Sequence, residues 1–176
     1  MPKLFSVSGY LAAALLILLG VGIVVVGVVG RSYVHDQVGQ EKIVGSDDMT
    51  PEGIQPGIQE AGLQDVSAPS CSVAGETVDT GKEAKCFADY MRIHTLESTG
   101  GKTYAQMEQD SPERDIWVTE TALTTALYTS YFAESVALFA IIVGIVMVLV
   151  GIGFVVLVHF SRRRTVAETP PPAAAT

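Results

Sequence analysis

Two long stretches of this chain carry no charge at all, residues 4–30 and 135–158, and they limit its fold more than any other feature. They are 27 and 24 residues long and consist largely of Leu, Ile, Val, Ala and Gly, as in Leu15-Leu16-Ile17-Leu18-Leu19 and Ile141-Ile142-Val143. A bilayer core about 30 Å thick is crossed by roughly 20 apolar residues in a helix. Lipid offers the backbone no hydrogen-bond partners, so a spanning segment closes its own bonds as a helix. A buried helix of a water-soluble protein is shorter and keeps a polar face. The two runs therefore predict two transmembrane helices. Lys3 and the small residues Val28 and Gly30 imitate a cleavable secretory signal, but the first run exceeds the roughly 7–15 residues of a signal core and is read as a retained span.

Charge sets the expected orientation. Arg162, Arg163 and Arg164 follow the second run directly and Lys3 precedes the first, with Arg31 a weak counterweight on the other side. Basic residues beside a span stay in the cytoplasm, which predicts both termini inside and residues 31–132 outside. That loop holds 7 Lys and Arg against 17 Asp and Glu, a formal charge of −10. Such a surface argues against nucleic acid and anionic headgroups as partners and leaves basic proteins or cations. Both cysteines, Cys71 and Cys86, fall in this loop. Outside the cytoplasm a pair of this kind forms a disulfide, and its spacing matches no CxxC or zinc pattern.

Along the chain, residues 31–38 contain no helix breaker, so the first helix is expected to continue for a few turns beyond its apolar run. Residues 45–69 are rich in glycine and proline and read as loop, with Thr50-Pro51-Glu52 offering one short turn. A clearer helix is predicted over 82–98, capped by Asp79 or Thr80 and ended by Gly100-Gly101. Ala84, Phe87, Met91 and His94 form its expected buried stripe, flanked by Tyr90 and Ile93. A short segment at 103–109 adds Tyr104 and Met107. Ser111-Pro112-Glu113 is a strong helix start. No proline follows it before residue 160, which predicts one helix on the order of 70 Å running from the loop through the second apolar run. Trp117, Tyr128, Tyr131 and Phe132 mark its approach to the membrane interface. The last residues, 165–176, with three prolines and three alanines in a row, read as disordered.

Few residues offer function. Gly9, Ala13, Gly20, Gly27 and Gly30 share one face of the first run, and Ala133, Ala137, Ala140, Gly144 and Gly151 one face of the second. Small residues let helix backbones approach closely in lipid. The stripes either meet each other as a hairpin or face a second copy or another membrane protein. Neither run has an ionisable group at mid-depth, which argues against channel or transport activity by this chain alone. His159 lies beyond the second run, so only His35 and His94 remain for a two-histidine, one-carboxylate iron site, and no HxD pair pre-places ligands. No GxSxG is present, and Gly100-Gly101-Lys102-Thr103 lacks the upstream glycine of a phosphate loop. Catalytic, metal and cofactor sites are therefore expected to be absent.

The stretch Gly75-Glu76-Thr77-Val78-Asp79-Thr80-Gly81, with Phe87-Ala88-Asp89-Tyr90, His94, Gly100-Gly101-Lys102-Thr103-Tyr104 and the earlier Arg31-Ser32-Tyr33-Val34, resembles a group of small actinobacterial membrane proteins. The resemblance implies two spans and a helical exterior domain over most of residues 6–160. Members often carry the label of an aromatic ring-opening dioxygenase small subunit, which implies an iron enzyme. The resemblance supplies no catalytic or binding residue.

The resulting expectation is an all-α chain: a cytoplasmic N-terminus (1–6), a first span (7–30), an extracytoplasmic helical domain (31–132), a second span (133–160) and a cytoplasmic tail (161–176). The spans extend into a small exterior bundle held by apolar stripes and a Cys71–Cys86 bridge. The expected role is a non-catalytic scaffold or accessory subunit in a bacterial cell envelope, with the bilayer and another membrane protein or a second copy as partners. The alternatives are a small-molecule or lipid sensor with a pocket at Phe87, Met91 and Tyr104, and an iron-dependent dioxygenase.

Overall fold

A computed structural model describes residues 2–167, with side chains over 6–163. It contains four α-helices, α1 Pro2–Gln40, α2 Gln55–Glu60, α3 Gly81–Ser98 and α4 Glu113–Ala167, and one 3₁₀ turn, Tyr104–Gln106. The described chain has no strand, only two isolated bridges, Val44 with Thr77 and Gly45 with Ala74. Helix α1 ends where Lys42 takes a φ of 51°. Helix α4 starts behind Ser111 and Pro112 with Glu113 and Asp115 in its first turn, where acids favour the positive end of the dipole. It reaches Ala167, so residues 165–167, expected as disordered tail, are helical; residues 168–176 and the side chains of Lys3 and Arg164 lie outside the described set.

The chain divides into two compact units, and α1 and α4 contribute to both. The first unit takes in Met1–Val28 and Leu138–Thr176. Its interior is built from residues seven apart: Ala13 and Gly20 on α1, Gly144, Gly151 and Val158 on α4, all buried. The pairing is antiparallel. A Cβ placed on Gly20 would stand 2.7 Å from the Gly144 carbonyl oxygen, and one on Gly144 2.6 Å from that of Gly20. Gly151 is in the same position against Ile17 and the Ala13 carbonyl, and Gly9 against Val158. At Gly20, Gly144 and Gly151 backbone meets backbone, which only glycine permits, while at Gly9 the neighbour is the Val158 side chain. The opposite faces hold bare aliphatic side chains: Leu18 is 70% exposed, Leu149 62% and Leu157 65%.

The second unit, Val29–Ala137, has a conventional core. Helix α3 sits at its centre. Thr80 caps it through a reciprocal box, its hydroxyl accepting from the Glu83 N–H at 3.2 Å while the Glu83 carboxylate accepts from the Thr80 N–H at 3.0 Å. Gly100 and Gly101, with φ of 59° and 75°, end it in the left-handed region where glycine is unstrained. The buried side of α3 is wider than the expected stripe. Ala84, Ala88 and Tyr90 are fully buried and Ile93 nearly so, whereas Met91 and His94 lie half-buried at the edge. The reason is the irregular segment ahead of α3, whose Met49, Ile54, Val73 and Val78 join the same core. The Thr50 turn exists, with the Thr50 hydroxyl accepting from the Gly53 N–H at 2.8 Å, but the short helix begins after it, with Pro56 in its first turn. Trp117, expected at a membrane interface, is instead 3% exposed in this core. Its indole N–H donates to the Lys102 carbonyl at 2.9 Å and its ring lies under Arg92, 5.2 Å from the guanidinium.

Candidate functional site

One polar group joins three elements of the second unit. Glu134, on α4, is the last charge before the second apolar run, and Arg31, on α1, the first charge after the first run. The Arg31 Nε–H donates to Glu134 Oε1 at 2.9 Å, and the His35 ring nitrogen Nε2 pairs with the same oxygen at 2.8 Å. Glu134 Oε2 accepts from the Gly81 N–H, the first residue of α3, at 2.7 Å. Gly81 is glycine because a Cβ would fall 2.8 Å from the Tyr131 Cα and 2.9 Å from the Ser130 carbonyl oxygen. One carboxylate thus binds α1 and α4 together and holds the start of α3 at its positive dipole end. The signal for it lies in the sequence: in an antiparallel pair of apolar helices, the charges that close the two runs arrive at one level.

A second polar group surrounds His94. Its Nε2 lies 2.9 Å from Asp48 Oδ2, and the Ser46 hydroxyl donates to Asp48 Oδ1 at 2.5 Å. The Ser46 bond, against an opposing effect of burial and aided by His94, holds the Asp48 carboxyl below its ordinary value. Glu97, one turn along α3, is shifted the other way: burial pushes its carboxyl up, and Asp48 and Glu60 add to that while His94 works against it. Its Oε1 is buried without a hydrogen-bond partner beside Gly57, whose Cβ would stand 1.9 Å from it.

His35 and His94 are thus engaged by different carboxylates, Glu134 and Asp48. Among the described residues no group of three or more His, Cys, Asp or Glu is arranged to hold a metal ion. Phe87 is buried, Met91 lines a hollow with α4, and Tyr104 is exposed with the Arg114 guanidinium 4.0 Å from its ring centre. Cys71 and Cys86 are bonded, with Cα atoms 6.1 Å apart. The bridge fastens the irregular segment to α3, and the Tyr90 hydroxyl donates to the Cys71 carbonyl at 2.6 Å beside it.

Of the small residues read as a packing face, Gly9, Ala13, Gly20, Gly144 and Gly151 meet across the first unit. Ala137 lies in the second unit, where a Cβ on Gly30 would be 3.8 Å from its own; Gly27 is buried and Ala140 half-buried. Arg162 and Arg163 are exposed. No family model matches the chain, and neither does any curated protein or solved structure.

Proposed function

We propose that this chain is a non-catalytic integral membrane protein that crosses the bilayer twice and serves as a scaffold or accessory subunit of a cell-envelope complex. The observation that carries the membrane reading is the first unit's surface. Only 17% of each apolar window is buried, although the windows are long enough to span and reach a mean hydropathy of 3.0 and 3.2. A soluble core helix of that composition is mostly buried, and a signal sequence accounts for one such helix near the N-terminus, leaving the second unexplained. Tyr33 at 63% and Phe132 at 68% exposure, just beyond the ends of the runs, suit the headgroup layer where aromatic rings are enriched. The antiparallel pairing of the apolar helices supports a reading in which both termini share one side of the bilayer. Arg162, Arg163 and Arg164 favour the cytoplasm for that side, and the disulfide favours an oxidising compartment for the second unit.

The accessory role rests on what the acidic second unit offers, a rigid cross-linked surface attached to a membrane anchor. Cross-linking in native membranes, followed by identification of what is joined to the chain, tests it. Recovery of a defined partner through the second unit is expected. Recovery of the chain alone as a monomer, across cross-linkers of several reaches, overturns the role. Extraction by alkaline carbonate overturns the membrane reading itself, and a label after residue 176 that is reachable only from outside the cell overturns the orientation.

A further inference from the structure

Glu120, on α4, is 3% exposed, the one carboxylate among the fully buried described residues. Its only side-chain hydrogen bond among the described residues comes from the neighbouring Thr121 hydroxyl, at 3.3 Å to Oε2. A carboxylate at this depth with so few donors gains from a cation or further donors that meet it. Of the cations packed on neighbouring aromatic rings, Arg92 lies over Trp117 and Arg114 over Tyr104. The hydroxyls of Thr99 and Thr124 donate to backbone carbonyls.

Glu120 also forms part of the wall of a hollow of about 370 Å³ between α3 and α4, lined further by Met91, Thr95, Asp115, Ile116 and Thr119. Met91 and Ile116 give it apolar sides, and Asp115 gives an exposed acid on the same wall. An apolar passage with carboxylates is complementary to a positive head on an apolar stem, because the stem covers aliphatic surface while the head finds its acid. The excess of acids over residues 31–132 draws such groups in. We propose that this hollow is a docking site for a basic side chain, an arginine or lysine of a partner protein, with its charged head on Glu120 and its stem between Met91 and Ile116. The inference deepens the accessory-subunit reading, on which it rests, by naming the partner's chemistry.

The full chain in lipid nanodiscs, titrated with n-butylguanidinium, tests the site. Trp117, the only tryptophan, lies one turn from Glu120 and reports by fluorescence. A saturable change is expected, weakened about tenfold or more when the probe is the uncharged n-butylurea, when it is guanidinium without the stem, or in Glu120→Gln, as the loss of a charge-assisted bond implies. Should Glu120→Gln fail to fold, Asp115→Asn on the exposed part of the wall is expected to weaken binding severalfold, and the comparison of the three probes stands without any variant. No saturable change in the wild-type protein overturns the site, as does equal binding by a folded Glu120→Gln or an equally strong response to bare guanidinium. A photo-cross-linker at position 116 in native membranes then separates the sources. A cross-link to an Arg- or Lys-bearing segment that disappears in Glu120→Gln is expected. Binding of the probe without any such cross-link overturns the partner side chain and assigns the hollow to a small amine. Either failure leaves the two-span reading to its own test by carbonate extraction.

Discussion

The two units invert each other. In the first, the inside is mostly glycine and alanine, with Val158, and the outside is leucine, valine and phenylalanine; in the second, the inside is Tyr90, Trp117, Phe87 and Ile54 and the outside is acidic. Each arrangement suits a different solvent. In water, burial of large apolar side chains drives packing, at about 25 cal/mol per Å² removed. In lipid that drive vanishes between helices, and what remains is close contact of backbones and the bonds of a few polar groups. On the proposed membrane reading, a single pair of helices passes from one regime to the other, so the same residue type has opposite effects in the two units. Leucine is a core residue at position 127 and an outward one at position 18.

The largest expected effect tests that inversion where it is tightest. Replacing Gly20 and Gly144 together by leucine puts side chains where a single Cβ already falls 2.7 and 2.6 Å from the opposing carbonyl oxygens. The loss in unfolding free energy, read by steric trapping in bicelles, is expected to exceed about 3 kcal/mol, since the obstruction is backbone and cannot turn aside. Gly22 and Gly153, where a Cβ would meet nothing within 4 Å, serve as matched controls, and leucine there is expected to change little. A similar loss at both kinds of site would mean that glycine serves the helix rather than the seam.

Next in size is the cross-link of the second unit. Cys71→Ala with Cys86→Ala opens a ring of sequence separation 15, and the chain-entropy estimate gives a loss of about 3 kcal/mol. Chemical denaturation of the protein in detergent, followed by Trp117 fluorescence, is the measurement. The first unit has no counterpart, so proteolysis after reduction is expected to begin in the irregular segment between α1 and α3 and to spare the apolar helices. Cleavage that starts in the helices would erase the contrast.

Much of this organisation is legible in the residues alone, and the failures have physical causes. Helices α1, α3 and α4 are marked by uninterrupted apolar runs, by Asp79 or Thr80 with Gly100-Gly101, and by Ser111 and Pro112, all of which act locally. The bridge is legible because the loop holds two cysteines and no others exist. The covering of α3 by Met49, Ile54 and Val73 is not, because its spacing obeys no helical or strand period. Trp117 misleads for a different reason. It shares a stripe of three- and four-residue steps with Glu120, Thr124 and Leu127, and that stripe is buried, but two polar members disguise it as a wet face. Glu134 needs a long-range step, the matching of charges across 103 residues from Arg31.

The polar knot gives the third effect in order. Glu134→Ala leaves Arg31, His35 and the Gly81 N–H without their shared acceptor. A loss of about 2 kcal/mol is expected, in the range for removing one member of a charge-assisted set. Hydrogen exchange should locate it in the first turn of α3. Glu134→Gln keeps an acceptor and is expected to lose about half as much. Protection that falls evenly over the second unit would show that the carboxylate does not hold the α3 start in particular.

The smallest effect has a sign that Asp48 and Glu83 do not share. Burial raises the Glu97 carboxyl above its reference of 4.5, so folding favours its protonated form, and the stability this contributes is complete below 4.5 and lost as pH rises through the raised value. Asp48, held down chiefly by the Ser46 hydroxyl, behaves oppositely. Its contribution is present above 3.8 and disappears as pH falls through its lowered value. Glu83 follows Asp48: its burial is the largest single influence and pushes upward, but its bonds to the Asp79 and Thr80 backbone together outweigh it. The second unit is therefore expected to gain slightly as pH falls from neutral to 4.5, and to weaken further down as Glu83 below 4.5 and Asp48 below 3.8 lose their contributions. Glu97→Gln removes the unpartnered carboxylate and its repulsion from Asp48 and Glu60, at the expense of an attraction to His94. The variant should be more stable than the wild type at pH 7 by under about 1 kcal/mol, with the gap closing as the wild-type carboxyl takes up its proton. Denaturation midpoints of the two proteins across that range decide it. A gap that persists below 4.5 would place the effect in packing against Gly57 rather than in charge.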